Sequence, residues 1–512
     1  MCHAGLLRVR GHVTLPDDDG RPTSREVFSM NTRQNVTTWD VPLEIRVPSV
    51  DDDAERGLEA TPESSEFTDT FFDTAELDLV RHGVTLRHTD DGGRRWLAEF
   101  TSSTMSPTIE LDGSGDDTDV PEEIADLLWG LRLGKELRVA AIVHTRRTRH
   151  HHTDRNDRPR LDVIDDVVSA TVPGPVATAT RWREVIVEPI GKSGDRVAGR
   201  IHRRLHGAGA RRSATTSRLT RALGHDAESG AESRRPSSRS RTAVESYIAV
   251  QLAAIFAGDI ALRRGEEPIH DTRVAIRRLR STLRTSKAIL DTARIEGVDE
   301  ELKWFAGLLG EVRDRHVQGR RFRESVAALP EELVLGPVAA RIDEILLGEQ
   351  TDHRRTVDEA MTSDRYRDLL AVLGMWTDTP PLAADSRIRT DDLRTIVRRG
   401  ARKADKRLAA AITTGEPTDL HRARKAAKRA RYAAELARPV LDKRHGKARV
   451  KRFKRIQTVL GDHQDATIAA ESLRRLGAGA GVRGGENGFT YGILYQREIQ
   501  AAQDARRRVA HL

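Results

Sequence analysis

Residues 269–287 read I-H-D-T-R-V-A-I-R-R-L-R-S-T-L-R-T-S-K. His270, Arg273, Arg277, Arg280, Arg284 and Lys287 stand at i, i+3, i+7, i+10, i+14 and i+17, positions that an α-helix gathers onto one face. Ile269, Ile276, Leu279, Leu283 and Leu290 mark a second face with the periodicity of burial. Asp271 is the one acid in the run. A helix charged only for solubility mixes signs and pairs them at i,i+4. This one reads as built to meet an anion. From His270 to Lys287 the basic face covers roughly 25 Å, long enough for an extended polyanion.

Composition leaves room for that reading. The 512-residue chain carries 86 Lys+Arg against 78 Asp+Glu, a net charge of +8, so an anion site must come from local concentration of charge. Aromatic residues are 4% of the chain, too few for base stacking to be the main mode of recognition. Cys2 is the single cysteine, which excludes an internal disulfide and a Cys-rich zinc site. The opening M-C-H-A-G-L-L-R-V-R-G-H-V-T has no apolar core long enough for a signal peptide. No run approaches the roughly 18 apolar residues of a membrane span. A cytoplasmic protein without a membrane partner is expected.

Outward from the basic helix, the chain divides. Residues 1–34 are polar and turn-rich and read as poorly ordered. Residues 35–224 hold short β segments: Leu43–Val47, Phe67–Phe72, Thr85–Leu86, Trp96–Phe100, Leu137–Thr145, Leu161–Val168, Ser169–Val172 and Trp182–Pro189. Turn clusters such as D-D-G-G (90–93) and D-R-N-D-R-P (154–159) separate them, and Glu122–Leu131 and Asp195–His206 read as helical. His150-His151-His152 suggests a metal tract, but neighbours on a strand face opposite ways, and a surface loop is expected there. Residues 225–241 have linker composition. Residues 242–512 read as a helical bundle, with the Gly-rich 477–488 as a connection. The fold class is therefore α+β, an antiparallel β domain followed by an all-α domain.

The basic helix occurs twice. H-R-A-R-K-A-A-K-R-A-R (421–431) repeats H-D-T-R-V-A-I-R-R-L-R (270–280) at an offset of 151 residues. His421 answers His270, Arg424 answers Arg273, Lys428 answers Arg277 and Arg431 answers Arg280. The same offset carries Lys303 onto Lys454, Leu309-Gly310 onto Leu460-Gly461 and Asp314 onto Asp465. One fixed offset over two separated motifs implies duplication and pseudo-twofold packing of two helical units. Stripes facing each other across such an axis could line a groove. Arginine suits it as a bidentate phosphate fork, with lysine as a point charge.

These doubled motifs, with L-G-E-V-R-D and L-G-D-H-Q-D, closely resemble the CHAD domain, the conserved histidine α-helical domain, over about residues 243–500. The resemblance implies two pseudo-symmetric four-helix bundles that bind inorganic polyphosphate, with no cofactor required. The contacts it implies are His270, Arg273, Arg277, Arg280, Lys303, His421, Arg424, Lys428, Arg431 and Lys454, and the basic stripe itself adds Arg284 to the expected polyphosphate contacts. Association with polyphosphate granules would follow from such binding.

Residues 36–224 resemble the CYTH domain, the triphosphate tunnel fold, through T-F-F-D-T-A-E-L-D-L-V-R-H-G-V-T-L-R (70–87), T-R-R-T-R (145–149), D-V-I-D-D (162–166), W-R-E-V-I-V-E (182–188) and S-R-L-T-R-A-L-G (217–224). That resemblance implies a β-tunnel whose inward carboxylates hold Mg²⁺ and whose inward arginines and lysines hold a triphosphate. Several inward positions depart from the pattern. The opening Glu-x-Glu-x-Lys reads Gln34, Val36 and Thr38; the basic residue after Trp96 reads Glu99; Glu-x-Arg reads Thr108 and Glu110; and the Glu-x-Glu-x-Glu strand has Ile186 in its middle. Arg87, Arg146, Asp165, Glu184 and Glu188 remain. A polyphosphate-binding protein with an inactive tunnel is the reading these residues favour. A Mg²⁺-dependent triphosphatase or nucleotide cyclase, and a nucleic-acid binder, stand as alternatives, the last disfavoured by the scarcity of aromatics.

Overall fold

The computed structural model describes residues 8–10, 36–45, 58–100, 108–112, 119–214, 217–224, 238–383, 388–441, 443–480 and 487–512. It divides into two compact units, Met1–Arg235 and Pro236–Leu512.

The first unit is an antiparallel sheet with short helices. In chain order it runs β1 (Arg8–Arg10), β2 (Thr37–Val41), β3 (Leu58–Asp73), α1 (Asp78–Arg81), β4 (Val84–Asp90), β5 (Arg94–Phe100) and β6 (Thr108–Asp112). Then follow α2 (Glu122–Leu127), α3 (Trp129–Arg132), β7 (Arg138–Asp154), β8 (Pro159–Val172), β9 (Thr178–Pro189), α4 (Gly191–Gly207), β10 (Arg211–Arg212) and α5 (Arg218–Ala222). The sheet order is β1-β6-β5-β4-β3-β7-β8-β9-β2-β10. Alternation along each strand sorts its side chains. Trp39, Val41, Val185 and Val187 pack with Val197, Ala198, Ile201 and Leu205 of α4, which turns their neighbours Thr38, Glu184 and Ile186 into the concave face. Phe71, Ala141, Val143, Val168 and Trp182 close over Leu219 and Ala222 of α5.

The F-F-D-T motif has a structural use. Asp73 is fully buried, and its carboxylate accepts from the backbone N–H groups of Thr74, Leu79 and Val80 at 2.7, 2.8 and 3.0 Å. It thereby caps α1, whose preceding Leu77 sits at φ 59°.

Four expectations change here. Leu43–Ile45 form a turn rather than a strand, because Pro42 ends β2 and its carbonyl accepts from Ile45 N–H; residues 46–47 lie outside the described ones. Leu161–Val168 and Ser169–Val172 are one strand, paired along its length with β9. His150–His152 lie within β7, held in register against β3 and β8, not in a loop. Of the N-terminal 34 residues, Arg8–Arg10 pair with β6 as a strand; the rest lie outside the described residues.

The second unit is helical: α6 (Arg239–Arg263), α7 (Ile269–Thr285), α8 (Val298–Ala327), α9 (Val338–Met361), α10 (Asp364–Asp378), α11 (Thr390–Thr414), α12 (Pro417–Ala437), α13 (Lys443–Ala480) and α14 (Phe489–Val509). The linker composition over 225–241 therefore overruns by three residues: Ser238 N-caps α6 by accepting from Arg241 N–H, and the helix starts at Arg239. Likewise α13 extends to Ala480, taking Gly477 and Gly479 into a helix. Repeat one is α6–α9 and repeat two is α11–α14. Helices α6 and α11 both have 25 residues and begin 151 residues apart, as do the starts of α9 and α14. Helix α10 is the extra element of the first repeat.

Alanine governs the middle of the bundle. Ala423, Ala426, Ala427 and Ala430 of α12 are buried against α11 and α13, with Leu408, Phe453, Ile456 and Leu460. A second core joins α8 and α9 of the first repeat to α13 and α14 of the second through Phe322, Val326, Ile342, Leu473, Tyr491 and Leu494. Helix α6 is the one described helix long and apolar enough to cross a membrane. Its Val244, Ile248, Leu252, Ile255 and Phe256 are instead buried in the bundle.

Candidate functional site

The duplicated stripes meet where α7 packs against α12. Each repeat builds its side of the meeting the same way. Arg273 donates from Nη1 to Gly310 O at 3.3 Å and to Asp314 at 3.2 Å. Its counterpart Arg424 lies 3.5 Å from Asp465. Gly310 and Gly461 make room for these guanidiniums: a Cβ on either would sit 2.9 Å from Arg273 Nη2 or 3.3 Å from Arg424 Nη2. The doubled Leu-Gly therefore serves the arginine, letting it lie flat on the neighbouring helix.

One turn further on stand Arg277 and Lys428. Neither forms an ion pair among the described residues. The Nε donors of Arg277 and Arg424 are buried without an acceptor. A buried donor left unmade costs about 1–3 kcal/mol, more for a charged group. Burial, together with the nearby charges of Arg424 and Arg277, pulls the Lys428 ammonium down to about 7. Arg273 also lies within electrostatic reach of it, and Asp465 opposes the shift. Four cations from two repeats thus share one place, with Asp314 and Asp465 as paired acids.

Other residues expected in the stripe are engaged elsewhere. Arg280 donates to Asp299 at 3.1 Å, Arg284 donates to the same carboxylate at 2.8 Å, and Lys303 pairs with Glu300 at 2.9 Å. Arg431 is 4% exposed, donating to Glu435 at 2.8 Å and Gln457 at 3.2 Å. Its expected role as a surface contact fails, because α12 is wrapped on most sides and Arg431 falls within the wrapped sector. His421 bonds Gln464 at 3.3 Å, and burial holds its pKa below the usual range. His270 and Lys454 are half-buried and have interactions of their own.

Sequence reasoning missed Arg313 on α8. Burial and the charges of Arg320 and Arg273 lower its pKa, which places it beside the cluster. It stands 151 residues before Gln464, the partner of His421, so the repeat offset could have flagged it.

The concave face of the first unit encloses a cavity of about 550 Å³ lined by Thr38, Phe67, Arg87, Glu99, Arg147, Glu184, Ile186, Arg218 and Arg221 among others. Thr38, Glu99, Glu184, Ile186 and Arg87 are inside, as the sequence indicates. Arg146 is not: it is exposed, and Arg147 points in, a one-residue register difference that reverses a strand side chain. Asp165 pairs with Arg183 at 2.6 Å, while the fully buried Asp166 does the interior work. Glu188 follows Glu184 and Ile186 on the strand but does not line the cavity. Thr108 and Glu110 lie on β6.

Each of the four arginines that line the cavity already has a carboxylate partner, although Arg87 Nε is buried without an acceptor. Arg147 grips Asp166 at 2.9 and 2.7 Å; Arg218 bonds Asp166, Glu184 and Thr145; Arg87 bonds Asp69 and Glu99 at 3.1 and 3.2 Å; and Arg221 bonds Asp40. No group of three His, Cys, Asp or Glu able to hold a metal occurs among the described residues. The tunnel carboxylates answer arginines, so the donors present do not fit Mg²⁺.

A CHAD domain profile matches residues 246–474. The chain belongs to the CHAD-domain family. Uncharacterized proteins of two Mycobacterium tuberculosis strains (CDC 1551 / Oshkosh and ATCC 25618 / H37Rv) are each 30% identical over 461 residues, covering 85% of this chain and 87% of the relative. The crystal structure of the CHAD domain from the plant Ricinus communis is 22% identical, covers 54% of this chain and 92% of that one, and superposes with a TM-score of 0.44. A Hippeastrum protein described as having dominant triphosphatase activity is 16% identical, covers 37% of this chain and 94% of that one, and superposes at 0.23.

Proposed function

We propose that this protein binds inorganic polyphosphate at the cluster formed by Arg273, Arg277, Arg424 and Lys428, and that its tunnel is not catalytic. The supporting observation is the pair of buried orphan donors, Arg277 Nε and Arg424 Nε, beside an ammonium depressed to about 7. A chain of phosphates presents acceptor oxygens and negative charge in series, which would satisfy these groups together. Arg313 extends the cluster along α8. Arg280, Arg284 and Lys303 form a flank whose charge is largely met by Asp299 and Glu300, so they add long-range attraction more than contacts. Cytoplasmic location and recruitment to polyphosphate granules are part of the same reading.

The test is a titration of the purified chain with long-chain polyphosphate in the presence of single-stranded RNA. Tight, salt-sensitive binding that RNA does not displace is expected. Arg277→Glu with Lys428→Glu should weaken it at least 100-fold. Unchanged affinity in that variant would sink the site, and displacement by RNA would favour a nucleic-acid binder. Tripolyphosphate with Mg²⁺ should release no phosphate above the blank; substantial release would restore the triphosphatase alternative.

A further inference from the structure

We infer a second anion site, separate from the α7/α12 cluster, in a cavity of about 240 Å³ lined by Arg394 and Arg398 of α11, Leu441, and His445, Gly446 and Arg449 of α13. Its ligand class is a compact phosphate-bearing anion. Three arginines and a histidine converge there. Arg394 pairs with Asp391 at 2.8 Å. Arg398 and Arg449 form no ion pair among the described residues. The volume falls below the usual range for drug-sized ligands and suits a short polyphosphate or a phosphate group. Arg438, beside Gly446, lies ten residues past Lys428, about 15 Å along the helix, so this is not the central cluster.

The first repeat shows what the same place becomes when it is structural. Stepping back 151 residues replaces Arg394 by Ala243, Arg398 by Tyr247, Gly446 by Ile295 and Arg449 by Val298. Ala243, Ile295 and Val298 are buried. The segment after α10 lies across them: Leu382 bridges Leu290, and Arg294, the counterpart of His445, donates to Pro380 O at 3.1 Å. One repeat fills and straps this end with apolar residues. The other leaves it open and lines it with cations. Core packing explains the first arrangement. In the second, Arg394, Arg398, His445 and Arg449 stand exposed around an open cavity. Of these three arginines only Arg394 has a carboxylate, Asp391, at ion-pair distance among the described residues.

Isothermal titration of the full chain tests this with tripolyphosphate and ATP as probes. In the Arg277→Glu/Lys428→Glu background, which disables the central cluster, one equivalent of tripolyphosphate should still bind. Adding Arg398→Glu and Arg449→Glu should weaken that residual binding at least tenfold. The milder Arg398→Gln/Arg449→Gln pair, with an unchanged melting curve, should show the same loss. Equal affinity for ATP and tripolyphosphate identifies phosphate alone as the ligand; tighter ATP identifies a nucleotide. No residual binding in the background, or residual binding that the α11/α13 substitutions leave intact, overturns the inference. Unimpaired long-chain polyphosphate binding in the background would instead count against the central site, so the two failures are distinguishable.

Discussion

The tunnel and the helical bundle both gather arginines, and they treat them in opposite ways. Inside the tunnel, Asp166 alone holds Arg147 and Arg218, and Glu184 holds Arg218 again. Between the repeats, Arg277 and Lys428 form no ion pair among the described residues. Nε donors without an acceptor occur in both places, on Arg277 and Arg424 here and on Arg87 in the tunnel. Counting basic residues would rank the two places alike. What separates them is whether a carboxylate of the same chain has already taken the position a phosphate would occupy. An ion-paired arginine supports a wall; on the proposed reading, one without an acid partner is open to a phosphate.

The comparison breaks most visibly by removing the tunnel's internal anion. Asp166→Ala leaves two arginines facing each other in a buried site, and should destabilise the first unit by about 3–5 kcal/mol. Urea unfolding followed by tryptophan fluorescence should show it, with polyphosphate affinity unchanged. If affinity collapses too, the tunnel takes part in binding. Arg431→Ala comes next. It removes one of the two arginines on the partly buried Glu435, which keeps Arg278 at 3.2 Å. It should cost about 1–3 kcal/mol of bundle stability while leaving affinity within twofold once the protein is folded. A selective loss of affinity at unchanged stability would return Arg431 to the binding face.

Proton linkage gives a smaller effect with a defined sign. Free Lys428 titrates near 7, and bound phosphates must raise that value. Between pH 7 and 9 the bound state therefore takes up a proton that the free state lacks, and affinity should fall about tenfold as pH rises. His421 and His463 are both held below the usual histidine range and have titrated before this window opens. Lys428→Arg should flatten the profile; a slope that persists in that variant assigns it to another group. Smallest of all, Asp314→Asn or Asp465→Asn should tighten polyphosphate binding about two- to fivefold by freeing Arg273 or Arg424. Weaker binding would mean that the aspartates orient the arginines rather than compete for them.

Much of this was legible in the sequence where periodicity and repetition reinforced each other. The α7 register, the 151-residue offset and the paired Leu-Gly all reappear in space, and Thr38, Glu99 and Ile186 stand inside the tunnel as the departures from its pattern implied. Legibility ended where one residue or one neighbour decided the outcome. Arg146 and Arg147 are equivalent by type, and only the β3 and β8 registers tell which points inward. Arg431 sits on a basic repeat, but small alanines let helices crowd α12 and bury it. The His150–His152 tract looked like a loop because its polarity was read without its partners: His151 bonds Asp162 and Glu63, and His152 sits against Leu161 O. The orphan donors could not be seen at all, since acceptors come from elsewhere in the fold.

The flat seating of Arg273 over Gly310 has a kinetic side. Arg147 holds its carboxylate with two nitrogens, a grip that must be broken in two places. Arg273 is tethered through one nitrogen, shared at 3.3 and 3.2 Å between a carbonyl and Asp314, on a helix floor cleared of side chain. An arriving phosphate can begin its own bond before that tether lets go. On the proposed reading, exchange at the α7/α12 cluster should accordingly be stepwise, one phosphate handed over at a time, so a long chain should move along the cluster without fully leaving it.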